Sequence, residues 1–170
     1  MLPAIVTASL LCFAVPGFAD TWDYFTDVDK MTSKESRRAV VTSDNTLNLD
    51  FPYKSTNNYG RVTVRYDASE GTDVAVLIEK GHILCPSYGR GCNVTVRFDE
   101  ATPIRFRAIG PSDHSTTIFF IHDTKRFIAG ASKAKKILIQ FTMYQAGNQT
   151  LEFSPPSPLV WGATKKTKTK

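Results

Sequence analysis

An apolar side chain at every second position is the strongest constraint in this sequence, because a chain spaced that way can hide one face only as a β-strand. From Arg61 onward, Val62, Val64 and Tyr66 fall on one side, and Arg61, Thr63, Arg65 and Asp67 on the other. Ile137, Ile139, Phe141 and Met143 repeat the pattern against Leu138, Gln140, Thr142 and Tyr144, and Ile104, Phe106 and Ala108 repeat it against Arg105 and Arg107. The string Val62-Thr-Val-Arg-Tyr-Asp67 returns as Val94-Thr-Val-Arg-Phe-Asp99, which reads as two strands converging on one core rather than a duplication. Val74 to Ile78 is apolar without alternation, as expected of a central strand with neighbours on both sides.

The remaining elements fit around these. Ala39 to Thr42 and Leu47 to Phe51 read as short strands about a turn at Ser43-Asp-Asn45. Thr116 to Ile121 is another strand, and Thr150 to Phe153 is expected to pair back across Ala146-Gly-Asn-Gln149. Asp123 suits the N-cap of a helix from Thr124 to about Ser132, with Phe127, Ile128 and Ala131 at helical spacing. Gly130 inside it costs roughly 1 kcal/mol relative to Ala, which leaves the length of that helix open. Trp22, Tyr24 and Phe25 are expected to cover the end of the core. The predicted fold class is all-β: an antiparallel β-sandwich, immunoglobulin-like or jelly-roll-like, with one short helix near residues 124–132.

Met1 to Ala19 carries no charged side chain, and Ile5 to Val15 is a largely apolar block ahead of small residues at Gly17 and Ala19. This predicts a signal peptide at residues 1–19 cleaved before Asp20, the block being shorter than the roughly 20 residues that span a bilayer. About 150 residues then remain, enough for one domain. It is placed at 20–158, with a C-terminal segment at 159–170 that ends in a Lys/Thr tail read as disordered. Of the cysteines, Cys85 and Cys92 lie in the mature part, and an exported chain with two cysteines predicts a disulfide between them. Placed between the apolar run after Asp73 and the one that ends at Asp99, the pair reads as the staple of a β-hairpin. Zinc is a poor alternative, since His82, His114 and His122 show no ligand spacing.

The net charge of +5 owes four units to Lys165, Lys166, Lys168 and Lys170, so the domain itself is near neutral. With no nucleic-acid motif either, binding to nucleic acid is not expected. Asp113-His114-Ser115 and His122-Asp123 hold the residue types of a catalytic triad, but chain neighbours do not converge as a triad must. Glu79, Glu100 and Glu152 show no arrangement that would pair two carboxylates for glycan hydrolysis. The reading is therefore against an enzyme, with no catalytic residue, cofactor or metal assigned. Candidate partner contacts are Tyr88 and Arg90 at the stapled tip, together with Arg97, Arg105 and Arg107 on a polar strand face that carboxylates such as Asp99 and Glu100 would pair.

One family resemblance runs over residues 22–161. The signal peptide, Asp29-Lys-Met-Thr32 before the first strand, Val94-Thr-Val-Arg-Phe-Asp99, Phe127-Ile128 in a short helix, and Lys136-Ile-Leu-Ile-Gln-Phe-Thr-Met-Tyr144 with Leu151-Glu-Phe153 together resemble the VasI-type periplasmic proteins associated with bacterial type VI secretion. The Cys85–Cys92 insert departs from that pattern. The resemblance implies a β-sandwich accessory or binding protein with no catalytic residues to carry over. The expected function is that of an exported, non-enzymatic binding protein of the bacterial envelope, periplasmic or secreted. Its partner would be another envelope protein or a cell-wall component, with no transmembrane helix after signal cleavage. The alternatives are a periplasmic inhibitor or immunity protein acting on a hydrolase, and a small envelope hydrolase.

Overall fold

Strands whose apolar side chains alternate must pair their backbones with neighbouring strands, and here they do so in one continuous ladder. The computed structural model describes residues 21–54 and 57–162. The expected signal peptide and Lys/Thr tail lie outside the described residues. In chain order the elements are β1 (Asp23–Val28), β2 (Glu35–Thr46), β3 (Tyr59–Asp67), β4 (Gly71–Ile78), β5 (Cys92–Phe98), β6 (Ile104–Ile109), β7 (Ile118–Ile121), α1 (Thr124–Ala131), β8 (Ile137–Met143) and β9 (Gly147–Phe153). The strands form a nine-stranded sheet in the order β1-β2-β3-β4-β7-β6-β5-β8-β9, and every neighbouring pair is antiparallel.

The fold is all-β and sandwich-like, and its two layers are halves of that one sheet turned face to face. Phe119 of β7 meets Phe141 of β8 with ring centroids 5.5 Å apart, although β6 and β5 separate their strands in the ladder. At the far end β9 comes back against β2. There the Asn45 side chain donates from Nδ2 to the Thr150 carbonyl (2.9 Å) and accepts at Oδ1 from the Glu152 amide (2.9 Å). β5, β6, β7 and β8 make a Greek key, the long connection through α1 returning β8 to the side of β5.

The period-two readings hold. Val62, Val64, Val94, Val96, Ile137, Ile139, Phe141 and Met143 are all buried, and Val74, Ala75 and Val76 are buried in a β4 flanked by β3 and β7. Helix α1 closes one end of the core. Asp123 caps it by accepting from the Arg126 amide, and Phe127 packs edge-on against Phe98 (5.7 Å) and Phe106 (6.2 Å). Gly130 is needed there because a Cβ would overlap the Phe98 ring. Leu159 folds back onto the helix, buried, with its amide bonded to the Ala131 carbonyl at 3.0 Å.

Three expectations are corrected. Val74–Ile78 and Cys92–Phe98 are not a hairpin: β4 pairs with β3 and β7, β5 with β6 and β8, and the disulfide lies in the crossover between them. Ser43-Asp-Asn45 is not a turn between two strands. β2 runs through it with an irregularity between Thr42 and Thr46, and Ser43 Oγ there accepts from the Gly60 amide and donates to the Asn45 carbonyl. Leu47 and Leu49 are buried but lie past the end of β2 outside any strand. Finally, Trp22 is buried as expected, whereas Tyr24 and Phe25 are 51% and 47% exposed on the edge strand β1.

Asn45→Ala removes both bonds that hold β9 to β2 and leaves a part-buried amide and carbonyl without partners, which costs about 2 kcal/mol. A urea midpoint lowered accordingly with unchanged slope is the expected result, and an unchanged midpoint would show that β9 is held by packing alone.

Candidate functional site

The crossover from β4 to β5 has to travel over the end of the sandwich, and it is tied down at each step. Ile83 is buried and bridges to Met143 of β8. Its amide donates to the Thr116 carbonyl (2.8 Å), while the flanking residues pair with the end of β8 through Leu84 N to Thr142 O (2.9 Å) and Tyr144 N to His82 O (2.8 Å). The chain then reaches Cys85, which is disulfide-bonded to Cys92 with the Cα atoms 4.9 Å apart. Between the cysteines the loop rests on the end of β6. The Gly110 amide donates to the Pro86 carbonyl at 3.1 Å, and a Cβ on Gly110 would overlap the Cys85 carbonyl oxygen, so only glycine lets the two backbones lie this close.

A cleft of about 280 Å³ lies between this stapled loop and the Pro111–Thr116 connection. Ser87 and His114 meet across it, Ser87 Oγ standing 2.9 Å from His114 Nδ1. Thr116 contributes to its floor and is anchored by a hydroxyl bond to the Gly81 carbonyl (3.2 Å). Tyr88 borders the mouth and is 75% exposed. On the other side His82 lies against Tyr144, ring centroids 5.7 Å apart. Among the described residues no Asp, Glu, Lys or Arg lines the cleft.

The sequence-predicted contacts divide. Tyr88 is in the cleft, whereas Arg90 is outside it, where its carbonyl lies 3.4 Å from Arg107 Nη2. Arg105 and Arg107 are exposed on the outer face of β6. Arg97 shares that face but is neutralised by Glu100 (3.0 Å) and bonded to the Asp99 carbonyl (3.0 Å). The Asp99 carboxylate instead accepts the Lys135 and Lys136 amides at 2.9 and 2.8 Å. A second hollow, of about 350 Å³, lies beside β1 and is lined by Phe25, Arg38 and Arg65. Arg38 covers the Phe25 ring at 4.7 Å, and Arg65 is bound by Asp73 and Glu70. The partnership with Asp73 also raises the Arg65 pKa.

Sequence reasoning missed Ser87 and Thr116, and weighed His82 and His114 as metal ligands and His114 with its chain neighbours, never as residues meeting across a cleft. The available signal was the pair of turn-rich strings, Pro86 to Gly91 and Gly110 to Asp113, which mark two loops but not their meeting. The neighbours behave as loop residues do: Asp113 accepts the Ser115 amide (2.9 Å), and Asp123 caps α1. No helix among the described residues is long and apolar enough to cross a membrane. No family model matches the chain, and comparison with curated proteins and with solved structures finds no match.

Replacing Cys85 and Cys92 together by Ser opens the loop and lowers stability by roughly 2–3 kcal/mol in the chain-entropy model. Urea unfolding measures the loss. A midpoint equal to that of the oxidised protein would mean the loop is held by its backbone bonds without the sulfur bridge.

Proposed function

We propose that the protein is an exported, non-enzymatic recognition module of the bacterial envelope, of the accessory kind that the VasI-type resemblance implies. The observation that carries this is the arrangement of the stapled loop: a short covalent ring, bonded at Pro86 to Gly110 and braced by Ile83, holds an exposed Tyr88 beside a formed cleft. Rigid presentation of a loop lowers the ordering cost of binding. The disulfide fits a periplasmic or extracellular address, since such bonds persist in oxidising compartments. Tyr88 and Arg90 flank the loop as contacts for an envelope protein or a cell-wall component, with Arg105 and Arg107 extending the basic side.

Pull-down from envelope extracts checks this. The Tyr88→Ala, Arg90→Ala double variant is expected to recover its partner at least about tenfold less well than wild type, as loss of an aromatic anchor does at interfaces. Equal recovery would place the contact elsewhere. Capture of a lytic enzyme that the protein then inhibits would move the reading to an inhibitor.

One contact favours a hydrolase as the second reading. Ser87 and His114 stand at the distance of a nucleophile and its base. Against it, the carboxylate nearest in the chain, Asp113, is engaged with the Ser115 amide and not with the imidazole. Such a pair lacks the acid that orients the base in a triad. Purified protein is expected to hydrolyse p-nitrophenyl acetate no faster than its Ser87→Ala variant. Turnover that the variant abolishes would replace recognition by catalysis.

A further inference from the structure

We propose that the cleft between the stapled loop and Pro111–Thr116 binds an uncharged oligosaccharide, with the Tyr88 and His82–Tyr144 rings as its stacking surfaces. This rests on the recognition reading above and names the ligand of that site. The lining decides the charge of the ligand. With no Asp, Glu, Lys or Arg among the described lining residues, an ionic group entering the cleft would lose water and meet no permanently charged partner. What the cleft offers is a mixture of ring faces and small polar groups. Ser87 Oγ and His114 Nδ1 stand 2.9 Å apart, and Ser115 and Thr116 also line the cleft, the Thr116 hydroxyl being held by the Gly81 carbonyl. A sugar ring has the matching surface: an apolar C–H face that packs on an aromatic ring, and a rim of hydroxyls that both donate and accept.

Size and continuity select a chain of sugars over a single one. The cleft of about 280 Å³ is near the lower end of small-molecule sites, about 300 Å³, and admits one or two rings. The aromatic surface continues past it. His82 packs on Tyr144, which is 48% exposed, and Tyr144 in turn borders a third, shallow hollow of about 10 Å³ shared with Phe51, 88% exposed. An extended ligand leaving the cleft over His82 would meet ring after ring. The disulfide and the Gly110–Pro86 bond fix both walls beforehand, so little ordering is needed on binding.

Isotope-labelled, oxidised full chain titrated with chitotetraose and with cellotetraose, followed by amide NMR shifts, tests the proposal. Saturating shifts confined to residues 82–88, 110–116 and 144 are expected with at least one sugar. They should be unchanged in about 0.5 M NaCl, where charge attraction is screened. Tyr88→Ala should weaken binding about tenfold and Tyr88→Phe should retain it, each variant first showing the native amide spectrum. The proposal is overturned if neither sugar shifts these amides at millimolar concentration, if the shifts lie elsewhere, or if salt abolishes them. Capture of an envelope protein that needs Tyr88 and Arg90, with no sugar response, would overturn the oligosaccharide and keep the recognition reading. Failure of both would overturn both.

Discussion

A nine-stranded sheet that curls onto itself must satisfy the backbone groups of its last strand, and here one side chain does so. β2 pairs with β1 only as far as Val40, and its ladder with β3 is interrupted between Thr42 and Thr46, so β9 meets it where no regular strand edge is presented. Asn45 resolves this by presenting an amide donor and an amide acceptor to Thr150 O and Glu152 N, imitating the pairing a strand would give. The irregularity between Thr42 and Thr46 goes with this, and the Ser43 hydroxyl replaces the ladder bond lost to Gly60 N. The free edge of β9 is thereby covered, which removes one of the two exposed margins of the sheet.

The same closure dictates the crossover that carries the cleft. β4 is buried and needs a partner on each side, and β3 and β7 fill both places. β5 therefore belongs to the other half of the ladder, and the chain between them must cross the sandwich end. Such a connection exposes backbone that a sheet would have satisfied. Its bonds to Thr116, Thr142 and Gly110 restore those partners, the Gly91 amide adds a bond to the Tyr88 carbonyl, and the disulfide closes that stretch into a small ring. The tying-down of this loop is thus a consequence of how the core is filled.

This division also explains what could be read from the residues alone. Strand faces were legible where burial is one-sided, as in Val62 and Val64 or Ile137 to Met143, because alternation records the core directly. The helix was legible because Asp123 caps it and Phe127 and Ala131 share a face. The Cys85–Cys92 bond followed from counting, but its neighbours did not. Local periodicity carries no information on which strand lies beside which, and closeness along the chain favoured the wrong hairpin. Ser43-Asp-Asn45 was misread for a related reason: residues that satisfy backbone groups in a turn do the same inside a distorted strand. The Ser87–His114 meeting was invisible because it depends on two loops converging only after the sheet has folded over.

The two sides of the stapled ring have different chemistry, and for the proposed ligand this would separate how it arrives from how it fits. Arg90, Arg105 and Arg107 lie on the outer, solvated side, where charge acts over about a Debye length and alters encounter more than residence. Tyr88, Ser87 and His114 lie on the inner side, in a recess with no Asp, Glu, Lys or Arg among its described lining residues. There contact area and short hydrogen bonds decide what stays. A ligand held by the recess alone would be indifferent to salt, whereas one reaching around the ring to the arginines would not, and because Tyr88 and Arg90 lie two residues apart in a ring closed by sulfur, neither side can move far without the other.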